Sequence, residues 1–216
     1  AESPLSPADE LRTFSLAPGF SIELVAAEPD IAKTVAIAFD DAGRLYLTTD
    51  VEYPLDANEN PEPARRLFAE GGRDKILVID APHEPGPHRP RVFADGLAMP
   101  MGILPVQGGV IVGQGPEILF LRDTNGDGRA DAREVLYGGF GIEDKKQWAQ
   151  QRINVQHAGL IASGAAVRDA NCENTRRQLR YARNPHPEHT AILLINNTQD
   201  TKICPAHRLQ PTQHSE

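Results

Sequence analysis

Short apolar strands recur in a fixed order through the first two thirds of this chain. Lys75–Ile79 (KILVI) matches Glu117–Leu121 (EILFL) at an offset of 42 residues. Val92-Phe93 and Gly96-Leu97 match Val135-Leu136 and Gly139-Phe140 at an offset of 43. The hairpin turning at Gly43 matches the one turning at Gly108 at 65: Phe39 falls on Leu104, Leu45 on Val110 and Leu47 on Val112. The extra 23 residues of that offset (65 − 42) are close to the length of the polar stretch from Asp50 to Gly72. Chance likeness among short strands is the alternative, but the matches keep their order. An all-β unit of about 40–45 residues has the period of a four-stranded propeller blade.

The local signals agree with an all-β reading. Ser6-Pro7-Ala8-Asp9-Glu10 predicts a short N-terminal helix, with Ser as N-cap, Pro at the first position and acids in the first turn. Phe20–Val25 alternates as a half-buried strand does. Val35–Phe39 and Arg44–Leu47 form a hairpin around Gly43, and Val106–Val112 forms one around Gly108. Lys75–Asp80, Arg91–Ala94, Ile118–Leu121 and Glu134–Tyr137 read as further strands. Asp50–Gly72 reads as a long surface loop, because it holds three prolines and no periodicity.

Charge divides the chain near Asp144. Residues 1–144 carry 12 Lys+Arg and 25 Asp+Glu, net −13; residues 145–216 carry 10 and 5, net +5, which sum to −8. Glycine falls from 16 to 2 across the same point. Two domains are expected: residues 1–144, the N-terminal part of a β-propeller, and residues 145–216, a divergent segment that is irregular or partly helical and poorly ordered. By length the first part holds about three blades, too few to close a ring of four to eight. Open sheet edges and association through them are expected. The acidic balance argues against nucleic acid as a partner, and no apolar run is long enough to span a membrane.

Asp123–Glu134 (DTNGDGRADARE) fits a twelve-residue calcium loop. Asp123, Asn125, Asp127, Asp131 and Glu134 supply side-chain oxygens at positions 1, 3, 5, 9 and 12. Arg129, at position 7, offers its backbone carbonyl, and Gly128 stands where the chain must turn. Ca²⁺ takes six to eight hard oxygens, and this spacing wraps them round one point. The alternative is a solvated turn, since Asp, Asn and Gly favour turns for their own reasons. The equivalent connection in the earlier repeat, Ala81–Pro85, has almost no ligands, so the oxygens here look placed for an ion. Strands on both sides point to a structural ion.

Several stretches resemble a known family. Phe14–Pro29 (FSLAPGFSIELVAAEP), Val35–Tyr46 (VAIAFDDAGRLY), Val92–Leu97 (VFADGL) and Leu121–Glu134 resemble the membrane-bound dehydrogenase proteins of planctomycetes and their relatives, over residues 6 to about 144. The resemblance implies the N-terminal part of a six-bladed propeller, similar to the soluble quinoprotein glucose and sorbosone dehydrogenases. It implies an exported protein, periplasmic or at the cell surface, with its signal peptide absent from this chain. It implies a sugar or alcohol substrate and pyrroloquinoline quinone as cofactor in the complete protein. After Gly139-Phe140-Gly141 the family pattern of further blades stops, so this chain alone has an uncertain catalytic capacity. Catalytic and quinone-binding residues are therefore left unassigned.

Other motifs are weaker. Cys172 and Cys204 lie in no C-x-x-C-H pattern, so no haem is expected; a disulfide and two free thiols both remain open. His157 reads as a solvated loop residue more readily than as a general base. Arg176, Arg177, Arg180 and Arg183 read as a basic helix face. Two functions follow: a calcium-stabilised propeller module of a sugar or alcohol dehydrogenase, or a non-catalytic calcium-binding scaffold.

Overall fold

A computed structural model describes residues 5–53, 55–86 and 88–142, and the backbone of 191–197. His157, Cys172, Cys204 and the four arginines from Arg176 to Arg183 lie outside the described residues. The chain is mostly β. Helix α1 (Pro7–Leu11) starts as expected, with Ser6 Oγ accepting the Asp9 N–H at 3.2 Å. Strand β1 (Phe20–Ala27) follows. Strands β2 (Thr34–Phe39), β3 (Leu45–Thr49), β4 (Asp74–Ile79) and β5 (Arg91–Leu97) form one antiparallel sheet in chain order. Strands β6 (Gly102–Val106), β7 (Gly109–Gln114), β8 (Glu117–Arg122) and β9 (Ala132–Tyr137) form a second, again in chain order. The repeat matches of the sequence fall on equivalent strands: β2–β3 on β6–β7, β4 on β8, and β5 on β9.

Two expectations change. The stretch Asp50–Gly72 holds a ten-residue helix, α2 (Pro61–Glu70). Pro61 opens it after Asn60, and Arg65–Glu62 and Arg66–Glu70 pair at 2.9 and 3.1 Å along its exposed face. Spacings of three and four residues make such pairs helix-stabilising. Only Ala64 is buried, so the apolar stripe that usually announces a helix is missing. The second change concerns the C-terminal segment, expected to be irregular or partly helical. Residues Ala191–Asn197 form strand β10, which pairs antiparallel with β1, Phe20 opposite Asn197 and Ala27 opposite Ala191.

Three apolar clusters hold the sheets. One lies against β1: Val25 and Ala26 pack with Leu45, Leu47, Leu77 and Ile79 of the first sheet. The second joins the two four-stranded sheets. Tyr46, Ile76, Val78 and Phe93 meet Val110, Val112, Leu119 and Leu121, with the rings of Tyr46 and Phe93 edge to face at 5.8 Å. Each such side chain contributes roughly 1.5–3 kcal/mol by leaving water, so the two sheets form one folded unit. The third cluster, around Ile111 and Ile118, lies on the second sheet alone.

Antiparallel order sorts the connections to two ends. The β2–β3, β4–β5, β6–β7 and β8–β9 turns lie at one end. The β3–β4 segment with α2, the β5–β6 link and the β7–β8 turn lie at the other. No described helix is long and apolar enough to cross a membrane.

Candidate metal centre

The predicted calcium loop is the β8–β9 connection. Its first nine positions, Asp123–Asp131, are loop; Glu134 already belongs to β9 and stands opposite Phe120. The loop is built from its own short acids. Asp123 accepts the Gly126 N–H on one oxygen at 2.7 Å and the Gly128 N–H on the other at 2.9 Å. Asn125 Oδ1 accepts the Asp127 N–H, and Asp127 Oδ1 accepts the Arg129 N–H, both at 2.8 Å. Such side-chain acceptors fix tight turns without secondary structure. Gly126 and Gly128 have φ of 79° and 85°, the left-handed region that a side chain resists.

Asp131 is held differently. Its carboxylate accepts the Thr124 N–H at 2.9 Å and the Thr124 hydroxyl at 2.7 Å. These two bonds, the hydroxyl first, lower its pKa below the usual carboxylate range. Glu134 is exposed on β9. The structure thus brings Asp123, Asn125 and Asp127 into one turn and leaves Asp131 and Glu134 on its rim. Among the described residues, no three His, Cys, Asp or Glu side chains converge closely enough to hold a metal as they stand. The donor set suits a hard cation: carboxylates, an amide oxygen and a backbone carbonyl, with no sulfur or imidazole.

The loop is also tied to the first sheet. Arg91 on β5 pairs with Asp80 at 3.0 Å and donates to the Gly128 carbonyl. Ala130 N–H donates to the Phe93 carbonyl at 2.7 Å. At the root, Asp123 N–H reaches the Gly108 carbonyl at 3.1 Å and Asp131 N–H the Arg122 carbonyl at 2.8 Å. An ion held here would therefore fasten two sheets.

The opposite end carries a feature the sequence did not announce. Asp74, at the start of β4, is 0% exposed. One oxygen accepts the Val51 N–H at 2.6 Å and the Thr49 hydroxyl at 3.1 Å; the other accepts the Met99 N–H at 2.9 Å. Asp50, 2% exposed, follows β3, and its Oδ1 is buried with no hydrogen-bond partner among the described residues. Burial, then the nearby Asp74, pushes the Asp50 pKa up to about 6. Burial also raises Asp74, against its three donors. A cleft of about 360 Å³ opens nearby between the end of α2, Gly96, Gln114 and Arg133.

The family comparison matches a domain of unknown function, DUF7133, over residues 6–181 of the 216. The chain belongs to the DUF7133 family. The DUF7133 match covers both four-stranded sheets and the loop, and it runs on past the charge break at Asp144. No curated protein matches the chain, and no solved structure does.

Proposed function

We propose that this DUF7133 chain is a calcium-stabilised β-propeller module of an exported, quinone-dependent sugar or alcohol dehydrogenase, and that its ion sits in the β8–β9 loop. The observation that carries the calcium reading is the turn in which Asp123, Asn125 and Asp127 are ordered at alternate positions by the loop's own N–H groups. Asp123, Asn125 and Asp127 supply side-chain oxygens, Arg129 its carbonyl, and Asp131 and Glu134 turn inward from the rim. Asp131 exchanges its bond to the Thr124 hydroxyl for the ion. The cation offsets the repulsion of four carboxylates within twelve residues, and it stiffens a loop already bonded to the neighbouring sheet through Arg91.

Two successive meanders, packed face to face through one apolar cluster, support the propeller reading. The dehydrogenase reading rests on the sequence resemblance. Pyrroloquinoline quinone, when bound, supplies the electron acceptor; the two described sheets supply part of the scaffold around it. Thermal melts with calcium and with chelator test the ion. Calcium raises the melting temperature, and Asp123→Ala or Glu134→Ala removes the rise. A melt unchanged by chelator counts against it. Quinone-dependent dye reduction with aldoses separates the dehydrogenase module from a calcium-binding scaffold.

A further inference from the structure

The cleft of about 360 Å³ is lined from both sheets. Phe68, Ala69 and Glu70 come from the last turn of α2, and Gly96 from β5. Gln114 at the end of β7, Glu117 of β8 and Arg133 of β9 come from the second sheet. Gly71 fixes the helix end in place. A Cβ there would come within 2.6 Å of the Gly96 carbonyl oxygen, so α2 ends directly on β5.

The hydrogen-bonding groups of this cleft are incompletely used. Gln114 is 2% exposed. The Ala98 N–H donates to its side-chain oxygen at 2.8 Å, which fixes the orientation of the amide. The amide nitrogen, with two N–H donors, has no hydrogen-bond partner among the described residues. An unmet donor on so sheltered a side chain is costly. Acceptors stand on the α2 side. The Gly71 N–H closes the helix on the Leu67 carbonyl. The carbonyls of Phe68, Ala69 and Glu70 come after that bond and have no intrahelical donor. Charge is nearly cancelled: Arg66 donates to both oxygens of Glu70 at 3.1 and 3.3 Å, and Arg133 reaches Glu117 at 3.5 Å.

We propose that this cleft binds a neutral, hydroxyl-rich ligand, a single sugar ring, held between the Gln114 amide and the last carbonyls of α2. A cation would use the carbonyls but leave the Gln114 amide unmet beside the Arg133 guanidinium. An anion would use those two donors but face three carbonyls and two carboxylates. A hydroxyl both donates and accepts, so a ring of hydroxyls satisfies both sides at once. Half-buried Phe68 offers an apolar surface to the C–H face of such a ring. The volume is at the small end of the roughly 300–1,000 Å³ usual for ligand pockets, which suits one ring.

The inference concerns binding alone. It shares a ligand class with the dehydrogenase reading but needs neither calcium nor quinone. The test is an amide NMR titration of the full-length chain with the methyl glycosides of glucose, galactose and mannose. These lack the free anomeric hydroxyl of an aldose, so binding is separated from aldose oxidation. At least one glycoside should give saturable shifts at the Gly71 and Gly96 N–H groups and at the Gln114 side-chain amide. Ala69→Trp puts a ring into the cleft from an exposed position. It should weaken binding by about tenfold or more with the melting temperature unchanged. Gln114→Glu keeps an oxygen for the Ala98 N–H, removes the two donors and should weaken binding likewise. The proposal is overturned if no glycoside shifts these amides, or if Ala69→Trp leaves the shifts intact. Ethylammonium or sulfate acting on the same amides at lower concentration than every glycoside also overturns it. Dye reduction with aldoses reports the dehydrogenase reading separately.

Discussion

Arg91 and Gly128 lie in different sheets, and the guanidinium of the first donates to the carbonyl of the second while also pairing with Asp80. The β8–β9 loop is therefore braced by the neighbouring repeat before any ion arrives. A hydrogen bond from a charged donor is worth about 1.5–3 kcal/mol when both partners are sheltered, and Arg91 is only partly so. Arg91→Ala is expected to lower stability by about 1 kcal/mol without calcium and to weaken the calcium-dependent rise in melting temperature. Arg91→Lys keeps the charge but cannot hold Asp80 and Gly128 with one planar fork, so it recovers only part of the loss. Calorimetry of the three proteins with and without calcium checks this.

Asp50 sets a dependence on pH. Its folded pKa of about 6 lies above the ordinary carboxylate value of 3.8. The folded state therefore holds the Asp50 proton more tightly than the unfolded chain does. The stability linked to that proton is present below about pH 4 and lost as pH rises through about 6. Asp50→Asn removes the loss. It should leave stability near wild type at pH 4 and raise it by about 2 kcal/mol at pH 8. Chemical denaturation at both values, read as the difference between the two proteins, is the measurement.

Asp74 stands nearby and burial raises its pKa as well, but unlike Asp50 Oδ1, both of its oxygens are held by hydrogen bonds. It accepts three donors, from Val51, Thr49 and Met99. Asp74→Ala would strand buried N–H groups, each costing about 1–3 kcal/mol. A loss of about 3–5 kcal/mol is expected, seen as a lower denaturation midpoint, with Asp74→Asn losing less because one oxygen acceptor survives.

Phe93 and Leu136 occupy equivalent strand positions with different burial. Phe93→Ala should cost about 3–5 kcal/mol, as for a filled core site. Leu136→Ala should cost about 1 kcal/mol, because the side chain gives up less contact. Equal losses by urea denaturation would mean that the two faces are equally covered in solution.

Much of the architecture could be read from residue types, for reasons that differ by element. Strands β4 and β8 announced themselves because a buried strand is a short apolar run between polar turns. The β8–β9 loop was legible because its side chains bond backbone two to five residues away, an interaction wholly local in sequence. Helix α2 was missed because ion pairs hold its exposed side and only Ala64 is buried, leaving no apolar period to detect. Its helix-start signal, Asn60-Pro61-Glu62, was present in the sequence. Asp50 and Asp74 were invisible for another reason. Their burial arises where the end of β3, the start of β4 and the β5–β6 link meet, and no spacing along the chain records that meeting. A carboxylate just before the apolar run of β4 was the only hint.

The unlike faces of each meander give the pair of sheets a direction, as a staircase has. A substitution made at the same step of every repeat would be felt once per junction, so its effect would grow with the number of junctions rather than with the number of sheets.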